Sequence, residues 1–224
     1  MKTNNRIQYL TASGLVILLV GLMPKCYAGA QDPLSLTEQA NAEALVEVAI
    51  PELATNLQRK PGQAKTHELL LIERDRSQDK KSEARRANAF VYDYQTDETI
   101  IYRIDAASNK ILSTVRKKNV QLPLTEQEIA RALNLIFSDK ETFALMTNEY
   151  QRITNKVLSS RKDLEAKAFV FTADSLPEQL NPASQQCGLH RCAQVLLYTH
   201  DSIVFEVSPI VNLSANIITQ VIGF

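Results

Sequence analysis

The chain has 224 residues, with 25 Lys+Arg balanced by 25 Asp+Glu, three cysteines and six glycines. A formal net charge of zero supplies no basic face for phosphate, which argues against nucleic acid as a partner. Six glycines in all leave little room for a glycine-rich phosphate loop.

The first thirty residues read as an export signal. Lys2 and Arg6 precede an almost purely apolar run, GLVILLVGLM at 14–23, followed by Pro24 and the small residues Ala28-Gly29-Ala30. A charged start, an apolar stretch and an A-x-A site in that order predict cleavage after Ala30, or after Ala28 if the earlier small residue is used. A membrane-spanning helix needs ~20 apolar residues, and this run is roughly half as long. Cys26 follows Met23-Pro24-Lys25, which lacks the small uncharged residues of a lipid-attachment site. Removing residues 1–30 takes away Lys2, Arg6 and Lys25 and no acid, leaving 22 basic residues against 25 acidic ones. The mature chain is expected to be periplasmic or secreted, with no membrane attachment after cleavage.

The next feature is an internal repeat. LTEQANAEAL at 36–45 and LTEQEIARAL at 124–133 are identical at seven of ten positions. Both read as helix starts: Thr125 with Glu128 has capping-box spacing, and so has Ser35 with Glu38, with Thr37 as a rival cap. Behind the second cap, Ile129, Leu133 and Ile136 fall on one helical face.

Each predicted helix is followed by short runs rich in β-branched and aromatic residues. In the first copy these are 68–72 (ELLLI), 87–94 (ANAFVYDY), 98–104 (ETIIYRI) and 110–115 (KILSTV). In the second they are 166–171 (AKAFVF), 193–198 (AQVLLY), 202–207 (SIVFEV) and 216–222 (NIITQVI). Residues 104–109 and 211–216 have the look of one turn used twice. The predicted fold class is α+β, two tandem units of 31–121 and 122–224, each a helix packed on an antiparallel meander of about four strands. The boundary falls near Leu122-Pro123.

Two segments differ between the copies. Residues 73–86 (ERDRSQDKKSEARR) mix six basic and four acidic residues and read as a solvated hairpin loop. Residues 174–192 form a loop carrying Cys187 and Cys192, and loops pinned to a rigid sheet often hold function. It is the leading candidate for a contact surface. In an oxidising compartment Cys187 and Cys192 read as a disulfide closing a small loop. His190 lies between them, but a closed zinc site needs four ligands and no second pair at matching spacing exists.

No constellation reads as an active site. His67, His190 and His200 are scattered, outside any nucleophile-elbow or metal-helix pattern. Glu126 and Glu128 belong to a helix cap, and His200-Asp201 to a hairpin turn. No catalytic residue, metal ligand or cofactor is predicted.

Together, RANAFVYDY at 86–94, Tyr102-Arg-Ile-Asp105, Asn109-Lys-Ile-Leu112 and QLPLTE at 121–126 resemble the N-terminal N2 and N3 regions of copper amine oxidases. The resemblance implies two cystatin-like helix-on-sheet domains of the kind that precede the catalytic domain in that family. It departs at Asn109, where the family prefers glycine, and at Gln121, which replaces a proline. The family's chemistry needs a quinone-forming tyrosine in an Asn-Tyr-Asp/Glu context and three copper histidines, two of them as His-x-His. Neither pattern occurs, so the resemblance carries no catalytic residue onto this chain. The expected function is that of an exported, non-catalytic tandem module that binds a protein partner at a sheet edge or along a helix. The alternative is an amine-oxidase-related accessory chain working with a separate catalytic chain. A cysteine-protease inhibitor would want a Gln-x-Val-x-Gly hairpin, and Gln220-Val-Ile-Gly223 has the wrong spacing.

Overall fold

The structure is a computed structural model and describes residues 29, 31–51, 65–77, 82–176 and 178–223. Apart from Gly29, the predicted signal segment lies outside the described residues, as does Cys26.

Helix α1 (Leu36–Ala49) starts where its capping box places it. Ser35 Oγ accepts from the Glu38 amide at 3.2 Å and a Glu38 carboxylate oxygen accepts from the Ser35 amide at 2.7 Å, so Ser35, not Thr37, is the cap. The first sheet follows as a plain antiparallel meander: β1 (His67–Arg74), β2 (Arg86–Asp93), β3 (Glu98–Asp105) and β4 (Lys110–Lys117), in that spatial order. Side-chain alternation sends Ala87, Ala89 and Val91 of β2 and Ile100, Tyr102 and Ile104 of β3 into the core beneath the helix. There they meet Ala42, Val46 and Ile50. The small alanines on β2 let the helix approach closely. The β3–β4 turn needs a left-handed residue, and Asn109 supplies it at φ 51°. That explains why asparagine can stand where the resembling family prefers glycine.

The second unit repeats the plan with additions. Helix α2 (Glu126–Ser138) is capped by Thr125, whose hydroxyl accepts from the Glu128 amide at 3.1 Å. The meander is β5 (Leu164–Phe171), β6 (Cys192–Thr199), β7 (Ser208–Asn212) and β8 (Ile217–Ile222), in sequence order. Its two-strand turn again uses an asparagine with positive φ, Asn216 at 57°. Among the described residues, three α-helices and two four-stranded antiparallel sheets make the fold α+β, compatible with two helix-plus-meander units. The third helix, α3 (Lys140–Thr154), packs beside α2 and buries Met146 and Tyr150 in the second core.

One expected strand is absent. Residues 202–207 form no strand beyond a single bridge, Tyr198 with Val204, and the strand begins later, at Ser208. Two demands override the β-like pattern of SIVFEV. Phe205 is drawn into the core, 1% exposed. The next two amides, of Glu206 and Val207, are taken by the carboxylate of Glu149 on α3 in place of a neighbouring strand. Pro209 is tolerated inside β7 because the β6–β7 pairing covers only Ile210, Val211 and Asn212, so its missing N–H deprives no partner there.

Candidate functional site

Ion pairs built on the capping boxes organise the molecule. In each copy the Glu that closes the box also receives an arginine from the residue at or just before the second strand. In the first copy Arg85 donates from Nε to Glu38 Oε1 at 2.7 Å and from Nη2 to Oε2 at 2.9 Å. It also reaches the carbonyls of Gly29 at 2.7 Å and Asp32 at 2.5 Å. In the second, Arg191 forks onto both oxygens of Glu128, the Nη2–Oε2 arm being 2.8 Å. It also donates to the Leu122 carbonyl at 2.9 Å and the Pro123 carbonyl at 3.0 Å. Each guanidinium thus ties a helix N-terminus, the segment leading into that helix and a sheet into one knot. Even the backbone agrees: the Arg85 carbonyl accepts from Ala106 and the Arg191 carbonyl from Leu213, both just past the third strand.

The copies differ in depth. The side chains of Arg191 and Glu128 are both 0% exposed, against 8% for Arg85 and 20% for Glu38. The Arg85 guanidinium holds the Glu38 carboxyl down at about 2, well below its ordinary 4.5. Burial pushes the Glu128 carboxyl up, but the Arg191 hydrogen bonds and charge outweigh it and leave Glu128 below the usual range.

Glu128 sits deep because the first unit covers it. The Tyr94 hydroxyl lies 2.8 Å from Glu128 Oε1 and 3.0 Å from Glu68 Oε2, and accepts from Arg131 Nη2 at 2.7 Å. Burial, with two carboxylates beside it, pushes the Tyr94 phenol well above its ordinary value and keeps it a neutral donor. Glu68 of β1 accepts from Thr125 Oγ1 at 2.6 Å, joining the first sheet to the cap of α2. Tyr92 and Tyr94 pack edge to face, 5.0 Å between centroids, in the same core cluster as α2 and β6. The buried titratable groups at this junction are thereby spent on holding the two units together.

The residues singled out by sequence lie apart. Cys187 and Cys192 form a disulfide with Cα atoms 5.4 Å apart. His67, on β1, has Nε2 3.4 Å from Asp93 Oδ2. His190 lies 3.0 Å from Asn212 Nδ2 through Nδ1 and 3.8 Å from Asp97 through Nε2. His200 approaches the Lys162 carbonyl at 2.9 Å and Glu165 at 3.2 Å. Among the described residues, no three His, Cys, Asp or Glu side chains lie together in a way that could hold a metal ion. These donors do not fit a copper centre. Arg85 and Arg191 escaped the sequence reading. The first lay in a stretch read as solvated, the second in a loop read for its cysteines; the signal that could have found them is their shared place before the second strand of each copy.

The cystine loop is anchored at a few buried residues while much of it, Leu189 included, stays exposed. It folds back on its own unit: Leu180 and Cys187 join Phe171, Cys192, Ile210 and Ile222 in a small core on the sheet face away from α2. It also laps over β8. Asn181 Nδ2 donates to the Thr219 carbonyl at 2.7 Å, and Gln220 Nε2 donates to the Gln179 carbonyl at 2.8 Å. The corresponding strand of the first unit is β4, and among the described residues no such loop accompanies it. All eight residues of β4 are exposed, and among the described residues its backbone pairs with β3 alone. The other outer strands are partly covered. β1 lends Glu68 and Leu70 to the unit junction, and β5 exposes only alternate positions, with Lys167 among them. The exposed β4 carries three apolar side chains on an open edge: Ile111 opposite the core-facing Ile104, Val115 opposite the outward Ile101, and Leu112 at a bulge between them. Such an edge presents unpaired N–H and C=O groups to any strand that can approach it.

No family model matches the sequence, and no curated protein does. Among solved structures, a copper-containing benzylamine oxidase from Hansenula polymorpha is similar in fold, with a TM-score of 0.53 and 11% identity. The similarity covers 88% of this chain and 30% of the oxidase chain. This chain therefore has the architecture of a minor part of a much longer oxidase.

Proposed function

We propose that this chain is an exported, non-catalytic tandem helix-on-sheet module that binds another protein at the open edge of β4. The observation that carries the reading is the contrast between equivalent strands. The Thr219 carbonyl and the Gln220 side chain of β8 are occupied by the chain's own loop, whereas β4 is exposed throughout. An eight-residue open edge with three exposed aliphatic side chains invites association unless a partner covers it. The Cys187–Cys192 disulfide supports an oxidising compartment. Among the described residues no helix is long and apolar enough to cross a membrane. Neither nucleic acid nor a bilayer is proposed as a partner.

Site-specific photo-crosslinking in the native host tests the reading. A photoreactive residue at Leu112 or Val115 should crosslink one recurring protein, while the same probe at Val48 on α1 should not. Equal crosslinking from both places, or none from β4, sinks edge binding.

A second reading is prompted by the fold similarity to the benzylamine oxidase but not favoured by it: an accessory chain to a separately encoded amine-oxidase-type catalytic chain. Identification of the crosslinked protein separates the two, since a quinone-staining partner supports this second reading.

A further inference from the structure

We infer that the strand β4 accepts is an acidic, extended segment of a different protein, with carboxylates flanking an apolar centre; this rests on the edge-binding reading above. The charge on β4 sits at its ends. Lys110 opens the strand, and Lys117 and Lys118 close it, all exposed. Arg116 is already committed to Asp93 at 2.8 Å and Glu98 at 3.3 Å, so three lysines are left to meet a partner. Between them lie Ile111, Leu112 and Val115, which an incoming strand would cover from ~4.8 Å away. On the outer face of the sheet, Val115 borders a shallow depression lined by Phe90, Ile101, Arg103 and Ser113, which can take one apolar side chain of the incoming strand.

A second copy of the chain fits poorly. Antiparallel self-pairing centred between Ser113 and Thr114 sets Lys110 opposite Lys117 at both ends, and like charges directly across a strand pair are destabilising. Acidic residues at those positions reverse the sign. A helix is disfavoured as the occupant because it would displace the water on β4's open edge without replacing its hydrogen bonds, whereas an extended chain pairs with those backbone groups in register.

Three capped synthetic peptides test this on the full mature protein by fluorescence anisotropy. The first is Glu-Glu-Val-Thr-Ile-Thr-Val-Glu-Glu; the second replaces each Glu with Lys; the third is the first N-methylated at alternate residues. The acidic peptide should bind saturably, and the Lys and N-methylated forms should each bind at least ~10-fold more weakly. The triple variant Lys110→Glu, Lys117→Glu, Lys118→Glu should reverse the preference between the acidic and basic peptides. Equal binding of acidic and basic peptides with N-methylation still harmful overturns the acidic class and leaves edge binding intact. Indifference to N-methylation overturns strand addition itself, and failure of the acidic peptide to bind overturns the inference outright. Sedimentation showing a dimer that the triple variant abolishes would assign the edge to a second copy and reject the inference.

Discussion

Arg191→Ala and Arg85→Ala delete the same group from two copies of one design, so their difference isolates burial. Arg191→Ala strips the fully buried Glu128 carboxylate of its forked guanidinium, leaving the Tyr94 hydroxyl and the charge of Arg131, not bonded to Glu128, nearby. Breaking such a pair costs about 3–5 kcal/mol. It also strips the Leu122 and Pro123 carbonyls of their donor, with a further ~1 kcal/mol at stake for each that water does not reach. Arg85→Ala leaves Glu38 with 20% of its side chain in contact with water, which can take over part of the arginine's role. A cost of about 1–2 kcal/mol is expected there. The predicted gap is therefore ~2–4 kcal/mol in favour of Arg85→Ala. Urea denaturation at neutral pH reads it, followed by circular dichroism because the chain has no tryptophan. If Arg191→Ala does not accumulate as folded protein, Arg191→Lys serves: it keeps the charge but loses the fork, and should still cost more than Arg85→Lys. The double variant Arg191→Met, Glu128→Leu should recover the charge penalty but not the carbonyl bonds. Equal losses for Arg191→Ala and Arg85→Ala would refute the burial argument.

Four further outcomes follow from the same geometry. Glu38 is held at about 2 against an ordinary 4.5, so its contribution is present above pH 4.5 and lost as pH falls from there through about 2. Glu38→Gln should be less stable than the parent at pH 7, with the gap closing near pH 2; a gap independent of pH would contradict the assignment. Replacing Cys187 and Cys192 by serine should cost ~2 kcal/mol and speed amide exchange in β8, where the loop is anchored. Two reactive thiols in unreduced protein would contradict the disulfide. Mass spectrometry should place the mature N-terminus at Gly29 or Gln31; only the former keeps the carbonyl that accepts from Arg85 at 2.7 Å, and an intact Met1 would refute cleavage. Copper-loaded protein alone should neither oxidise benzylamine nor give a quinone stain, because its three histidines lie in separate surroundings. A positive stain with stoichiometric copper would overturn the non-catalytic reading.

Local chemistry was readable and long-range chemistry was not. Capping boxes are spelled within four residues, so Ser35/Glu38 and Thr125/Glu128 announce their helices directly. The meander of the first unit likewise follows from alternating runs and tight turns. Residues 202–207 mislead because β-like alternation cannot reveal that Glu149, 57 positions from Glu206, claims its amide. α3 has a readable start in Asp139, which caps the Thr142 amide at 2.8 Å, but among the described residues it has no counterpart in the first repeat to draw attention to it. Arg191 and Glu128 are 63 residues apart, and charge on a polar sequence reads as solvated until the fold closes over it. The cystine loop drew a functional reading for its cysteines, while its apolar members Leu180 and Cys187 point to the core they complete.

The repeat suggests how a structural unit and a binding unit can share one plan. Both copies keep the capping glutamate, the arginine that grips it and the asparagine turn between their last two strands. They part company in two places. The second copy adds α3, which covers Phe205 and takes the next two amides through Glu149, and a disulfide-closed loop that laps over β8. Among the described residues the first copy shows neither, and its last strand stays exposed with lysines at both ends. A strand left open in this way is an aggregation hazard. End charges at Lys110 and Lys117 counter that hazard by opposing self-pairing, yet they do nothing to repel an acidic strand. The same lysines can therefore both keep copies apart and select the partner, and reversing their sign should trade one property for the other.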